Sequence, residues 1–328
     1  MSNSKKVLLI FGCVALVCLI GAAIVVGVYF GKAGSGAGIA DLLGGQRVTL
    51  DETQALDLDG VTSLSVECPS GAITLEPGDE VRVELSGSIW TAKTKDQYLK
   101  VTQDGGALRV KLDLDPIGVN FIDVQMKVYL PEDFGMETDI SSASGGIDVQ
   151  NLELGPVAIS CASGDVNISG VKGGTLRIDS ASGKIKVASS QFESIRATCQ
   201  SGGIDVRDTN AAVTLHCTSG EVNVAEVTGS IDVSSTSGGV TVSLSQPEIE
   251  EIRADVTSGS ITLKLNAQAA FTLDANTTSG GIDCDFERTV SGGDSDGPVG
   301  EHITGKVNGG GASVNLSTVS GGINIIQN

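Results

Sequence analysis

The chain is 328 residues long, with 44 glycines, 7 prolines and only 3% aromatic side chains, a supply of large apolar groups too thin for a bulky globular core. Its 21 lysines and arginines stand against 40 aspartates and glutamates, and the resulting net charge of −19 excludes the basic surface that binding to nucleic acid requires. Seven cysteines with no CxxC spacing supply neither a zinc site nor a disulfide framework.

In chain order, Lys5 and Lys6 precede 24 uncharged positions, Val7 to Phe30, enough for one helix to span a bilayer with some tilt. Lysines before the span, with only Lys32 just after it, place residues 1–6 in the cytoplasm, residues 7–30 in the membrane and the acidic body outside the cell membrane. A cleaved signal peptide is the alternative, with small residues at Ala33, Gly34 and Ser35, although 24 apolar residues exceed a usual signal core. Residues 31–46 are rich in glycine and alanine and read as a flexible linker.

Strand patterns begin at Arg47. The runs Val81 to Leu85, Leu108 to Leu112 and Val124 to Leu130 alternate apolar and polar residues, with turn signals at Asp104-Gly105-Gly106 and Pro131-Glu132-Asp133. They predict antiparallel hairpin strands, so that residues 47–140 form a less regular β cap. Embedded in this region, Leu64 to Leu75 already carries the motif that dominates the rest of the chain, Ser70-Gly71-Ala72-Ile73.

From residue 141 to 328 that motif recurs. Copies start at Ser144, Ser163, Ser182, Ser201, Ser219, Ser237, Ser258, Ser279 and Ser320, at spacings of 19, 19, 19, 18, 18, 21, 21 and 41 residues. A period near 20 is too short for paired helices and fits one coil of a parallel β-solenoid. Alternation before the serine, as at Leu176, Ile178 and Ser180, and after it, as at Ile185 and Val187, predicts two short strands per coil, stacked in sequence order. Glycine after the serine supplies the backbone angles of a tight corner. The expected class is therefore all-β: a parallel solenoid with an irregular N-terminal cap, preceded by one transmembrane helix.

The tandem Ser-Gly-Gly-Ile coils and the ending from Ile303 to Ile325, with Gly309-Gly310-Gly311 before Val319-Ser320-Gly321-Gly322-Ile323, resemble a bacterial putative-adhesin domain family of unknown function, over roughly Leu64 to Ile325. Members of that family include membrane-anchored proteins of the cell envelope. The resemblance implies a glycine-rich β-solenoid at the envelope and offers no catalytic residues to transfer.

Several motif spellings lack the surroundings their chemistry needs. Gly293-Asp294-Ser295-Asp296-Gly297 spells GxSxG, but a nucleophile elbow needs a strand before it and a helix after it, and Pro298 follows. Asp294 and Asp296 lack the further oxygen ligands of a calcium loop. Gly300 to Lys306 spells GxxxxGK, yet Val307 stands where a P-loop needs serine or threonine. His302 is expected in a loop.

Two columns emerge from aligning the coils. Cys68, Cys161, Cys199 and Cys217 fall two residues before a repeat serine, where other coils hold Ser142, Ser180, Ser235, Val256, Thr277 and Thr318, so the position selects small side chains rather than thiols. Cys199 and Cys217 fall on adjacent coils, where a disulfide is conceivable although parallel strands aim their side chains alike. His216 adjoins Cys217 but faces the other way. The second column points outward: Asp148, Asn167, Lys186, Asp205, Asn223, Thr241, Thr262, Asp283 and Asn324. Stacked about 4.8 Å apart, its Asp and Asn members would offer a ladder to a glycan or a metal, or form a solvated face.

No catalytic, cofactor-binding or metal-binding set is legible. The sequence points to a membrane-anchored, extracytoplasmic binding, adhesion or envelope-sensing module without catalytic activity. Its expected partners are the membrane, through the N-terminal helix, and an envelope glycan or protein, with no nucleic acid and no cofactor; the oligomeric state is left open. The alternative is a carbohydrate-active enzyme on envelope polysaccharide. It would need converging carboxylates and aromatic platforms, and Trp90, Tyr29, Tyr98 and Tyr129 all lie outside the tandem coils.

Overall fold

The structure is a computed structural model that describes residues 45–114, 119–289, 295–297 and 300–328. The membrane span expected over residues 7–30, and all of the linker except Gly45 and Gln46, lie outside the described residues. Among the described residues every regular element is a β-strand, and none is a helix able to cross a membrane.

The Ser163 coil shows how the sequence builds the unit. Val157–Ser163 turns Val157, Ile159 and Cys161 inward, and after the glycine corner Val166–Ser169 turns Val166 and Ile168 inward, all of them at most 3% exposed. The period of two in the side chains thus becomes one buried and one open face per strand. Neighbouring coils align in parallel and in register: Ile159 lies between Ile140 and Ile178, and Val166 between Ile147 and Ile185. A coil buries its apolar residues largely against the coils above and below, which is why small side chains suffice for a core. Strands before the serines form a first face, and strands after them a second.

The central coils have a third side that the two-strand pattern does not show. After the second strand the chain turns at Asn151, Gly170, Ser189, Asp208 and Glu226, all with φ between 49° and 66°. Short parallel pairings follow, among them Glu153 with Lys172, Lys172 with Gln191, and Asn210 with Thr228. Inward Leu154, Phe192 and Ala211 fill this side. The side is only two or three residues long, too short for a periodic signal, and four of its five corner residues are not glycine. Asn and Asp tolerate the left-handed region. Glu226 is held there by its carboxylate, which accepts from Ser245 N and from Ser245 Oγ at 2.7 Å.

Stacking in sequence order is corrected at both ends. Ser63–Ser70 pairs in parallel with Ala107–Leu112 on one side and Glu137–Ser144 on the other, and Ala72–Pro77 likewise lies between Val119–Leu130 and Ile147–Gln150. The Ser70 coil is therefore an inner coil, and hydrogen bonding runs across residue 140 without a break. At the other end, Ala312–Ser320 lies between Ile252–Ser258 and Phe271–Ser279, and Ile323–Gln327 between Ile261–Leu265 and Ile282–Cys284. The last coil of the chain is inserted between the Ser258 and Ser279 coils. Every coil presents the same backbone ladder, so the motif by itself does not specify which coil comes next.

Antiparallel strands close the ends. Arg82–Thr91 pairs with Val119–Leu130, and Gln46–Ala55 pairs with Arg82–Thr91. On the first face Leu99–Asp104 covers Ala107–Leu112. Of the expected hairpins, the one at the Asp104-Gly105-Gly106 turn is present, joining Leu99–Asp104 to Ala107–Leu112. Arg82–Thr91 and Val119–Leu130 pair antiparallel across those intervening strands, the Pro131-Glu132-Asp133 turn leads into a parallel strand, and Ala107–Leu112 and Val119–Leu130 also pair in parallel with the Ser70 coil. At the far end Gly300–Val307 covers Phe271–Ser279, and Glu301 accepts from the edge amide of Ile282 at 2.7 Å. Capping of this kind removes unpaired strand edges that would recruit other chains.

At the repeat corners the glycines have φ between 120° and 153°. Their carbonyls also occupy the space where the next coil's Cβ would stand. This series runs Gly71, Gly145, Gly164, Gly183, Gly202, Gly220, Gly238, Gly259, Gly321, Gly280, and so repeats the inserted order of the last coil. Gly220→Val places a branched side chain on the Gly202 carbonyl, and should cost at least about 3 kcal/mol, seen as a lower denaturation midpoint. Gly60→Ala, at a φ of 69° with no atom within 4 Å, is the control and should cost about 1 kcal/mol. Equal losses for the two variants would refute the corner stack.

Candidate binding surfaces on the two faces

On the second face the outward ladder forms in register: Asp148, Asn167, Lys186, Asp205, Asn223, Thr241, Thr262, then Asn324 and last Asp283. The inserted coil reverses the final two members relative to their sequence order. Much of this ladder bonds to the protein itself. Asn167 Nδ2 donates to Asp148 Oδ1 at 2.9 Å. Asp205 is buried, 5% exposed, beneath Lys184 Nζ at 3.3 Å and the Arg207 guanidinium, whose Nε donates at 3.1 Å. Burial pushes the Asp205 carboxyl up, but the hydrogen bonds and charges of Arg207 and Lys184 together outweigh it and hold it below the ordinary carboxylate value. Lys186 and Asp283 remain exposed.

The cysteine column is buried, and its chemistry is more specific than small size. Ser142 Oγ donates to Gly145 O at 3.3 Å, Cys199 Sγ to Gly183 O at 3.4 Å, Thr277 Oγ1 to Gly321 O at 3.0 Å and Thr318 Oγ1 to Gly259 O at 3.1 Å. These side chains donate to the carbonyls of the corner glycines. Val256 has no donor, and the carbonyl of its own corner, Gly259, is served by Thr318 of the inserted coil. Ser235 Oγ is the member that finds no partner among the described residues. Burial pushes the Cys68 thiol up to about 11, and raises Cys161 as well. Cys199 and Cys217 are free thiols on neighbouring coils. The neighbouring Cys217 thiol and burial together raise Cys199, and the Cys199 thiol beside it lowers Cys217 against its own desolvation.

The first face carries a shallow groove of about 420 Å³ that the sequence columns did not single out. One row of its lining runs Thr198, His216, Ser234, Asp255, Ser317, and the parallel register aligns His216, Ser234, Asp255 and Ser317 across four coils. A second row, nearer the corner, runs Thr218, Thr236, Thr257, Val319. Arg253 Nε donates to Asp255 Oδ2 at 2.7 Å, so the groove's carboxylate is already compensated. Among the described residues, no side-chain hydrogen bond inside the protein engages Thr198, His216, Thr218, Ser234, Thr236, Thr257 or Ser317. The signal was present in the sequence as positions three and one before each repeat serine. Only the structure shows that these positions escape internal bonding.

The motif spellings resolve into strands. Ser295–Gly297, the described part of the GxSxG spelling, pairs antiparallel with Gly300–Val307, which holds the GxxxxGK spelling, so these residues lie in paired strands. His302 lies in a strand, correcting its expected place in a loop, and its Nε2 is 3.0 Å from Asp274 Oδ1 on the open face. No group of three His, Cys, Asp or Glu side chains suited to a metal occurs among the described residues.

The sequence pattern of the Toastrack DUF4097 family matches residues 61–250 and 210–326. The chain belongs to that family. No curated protein matches it. Among solved structures, a putative adhesin from Parabacteroides distasonis ATCC 8503 is similar at a TM-score of 0.50 and 11% identity, covering 86% of this chain and 98% of that one. A putative adhesin from Bacteroides fragilis NCTC 9343 gives 0.45 at 13% identity, covering 86% and 97%. A protein from Parabacteroides distasonis ATCC 8503 described as a putative lipid binding protein gives 0.41 at 14%, covering 85% and 97%. The first of these supports the fold, and the Toastrack DUF4097 match supports the family resemblance read from the Ser-Gly-Gly-Ile coils.

Two measurements test this geometry. Asp205 has a depressed folded-state pKa, so its contribution is present above the unfolded carboxylate value near 3.9 and is lost as pH falls through the lower folded value. Asp205→Asn should cost about 1–3 kcal/mol at pH 7 and lose less stability than wild type between pH 5 and pH 2. Parallel acid profiles for the two proteins would contradict the buried ion pair. Alkylation at pH 7.5 with peptide mapping should leave Cys68 and Cys161 unmodified until denaturant is added; equal labelling in native and unfolded protein would contradict their burial.

Proposed function

We propose that this Toastrack DUF4097 protein is a membrane-anchored, extracytoplasmic binding module of the adhesin or envelope-sensing kind, that it acts by contact and not by catalysis, and that the first-face groove is its contact surface. The observation that carries the reading is the two rows of polar side chains without internal partners among the described residues: Thr198, His216, Thr218, Ser234, Thr236, Thr257 and Ser317. Polar groups fixed on a rigid sheet and left unbonded are available to a ligand at little ordering cost. The 24-residue apolar run and its preceding lysines support the anchor and its orientation. The word adhesin in the name of the Parabacteroides distasonis relative supports the contact role.

The test has two parts. Protease added to intact cells should remove an epitope placed after Asn328; its survival, with a known surface protein digested, would overturn the orientation. Full-length protein should then capture an envelope component that Thr236→Arg, on the open face of the groove, fails to capture, while Asn223→Ser on the second face retains it. Capture unchanged by Thr236→Arg would overturn the groove assignment.

A further inference from the structure

We infer that the groove's ligand is a neutral, hydroxyl-rich polysaccharide lying along the stacking axis, across the strands; this deepens the binding-module reading above and rests on it. Other ligand classes meet specific obstacles. The chain's net charge is −19 and the groove's only carboxylate is bonded to Arg253, so a polyanion meets a repulsive field and a polycation finds no free anion in the groove. Val319, 52% exposed, is the only exposed large hydrophobic among the described residues, which gives an acyl chain or an apolar helix nothing extended to bury. The strand amides and carbonyls under the groove are consumed by the parallel ladders, so an extended peptide has no strand edge to join there.

What the groove does offer is hydroxyl groups in a fixed lattice. Each serine or threonine hydroxyl both donates and accepts, which matches the dual character of a sugar hydroxyl. The lattice repeats at the coil spacing, and an extended β-linked hexose chain advances by a closely similar step per sugar. From Thr198 to Ser317 the row crosses five coils, about 19 Å at the strand spacing, or roughly four to five sugar units. No Phe, Tyr or Trp ring lines the groove, so the sugars are held chiefly by hydrogen bonds and affinity accumulates with the number of coils engaged.

The test uses full-length protein in a zwitterionic detergent without a sugar headgroup, titrated with neutral β-1,4-linked glucose oligomers of two to six units, and with galacturonate oligomers of the same lengths. Expected is saturable binding of the neutral series that strengthens with length and levels off near five units, with at least 10-fold weaker binding of the acidic series. The triple variant Thr218→Val, Thr236→Val, Thr257→Val keeps the β-branched shape and removes the hydroxyls. It should keep the wild-type melting temperature and bind the neutral hexamer at least 10-fold more weakly. If that variant does not fold, Thr236→Val alone carries the comparison. Absence of saturable binding to the neutral hexamer, equal binding of acidic oligomers, or an unaffected valine variant would each overturn the inference. Should wild type ignore every oligomer yet capture an envelope component that Thr236→Arg loses, the polysaccharide falls and the binding module stands; loss of both observations removes both.

Discussion

Close approach of backbones at the glycine corners is the constraint from which the other features follow. Each corner carbonyl fills the volume a Cβ would need on the next coil, so neighbouring coils approach more closely than any side chain would permit. A carbonyl pressed into the interior needs a donor, and the column two residues before the repeat serine supplies one at Ser142, Cys161, Cys199, Cys217, Thr277 and Thr318, while Cys68 and Ser180 donate to the carbonyls of the repeat serines themselves. The residue choice in that column is a matter of hydrogen bonding within a small volume. Cysteine serves there as a weak donor of the right size, and its buried thiol is held protonated by desolvation at Cys68 and Cys161.

Insertion of a coil at each end gives the stack a second property. The Ser70 coil and the Ser320 coil each separate two coils that are nearer to one another in sequence than the inserted position suggests, and the resulting pairings join distant segments, as Ser258 does with Ser320. Such contacts delay closure of the ends until long loops have been ordered. In return the chain's final strands are held between two ladders and not at a free edge, and antiparallel strands finish both ends. The end caps and inserted coils thus limit the edge-to-edge association to which an uncapped parallel stack is prone.

The two long faces differ in what they do with their polar groups. On the second face Asp148, Asn167 and Asp205 bond to neighbours within the protein, with Asp205 buried under two cations. On the first face the hydroxyls of the groove have no such partners among the described residues. An outward position in an alternating strand is therefore not by itself a recognition position. The ladder predicted from the alternation is largely structural in its Asp148 to Asp205 stretch, whereas the surface available for contact runs across the Ser201 to Ser320 coils.

The amino-acid sequence by itself determined the all-β class, the coil period, the glycine corner, the inward and outward assignment of each strand, and the family resemblance. These are local properties: alternation and glycine placement act over a few residues, so they are legible in one dimension. Coil order, the third side of the central coils and the groove were decided only by the tertiary structure. Ala312–Ser320 could pair with any ladder of matching register, and its seat between Ile252–Ser258 and Phe271–Ser279 depends on the whole stack. The corners at Ser189 and Glu226 carry no glycine to announce them. Whether an outward hydroxyl is bonded or free depends on neighbours about 20 residues away in sequence, brought beside it by the parallel register.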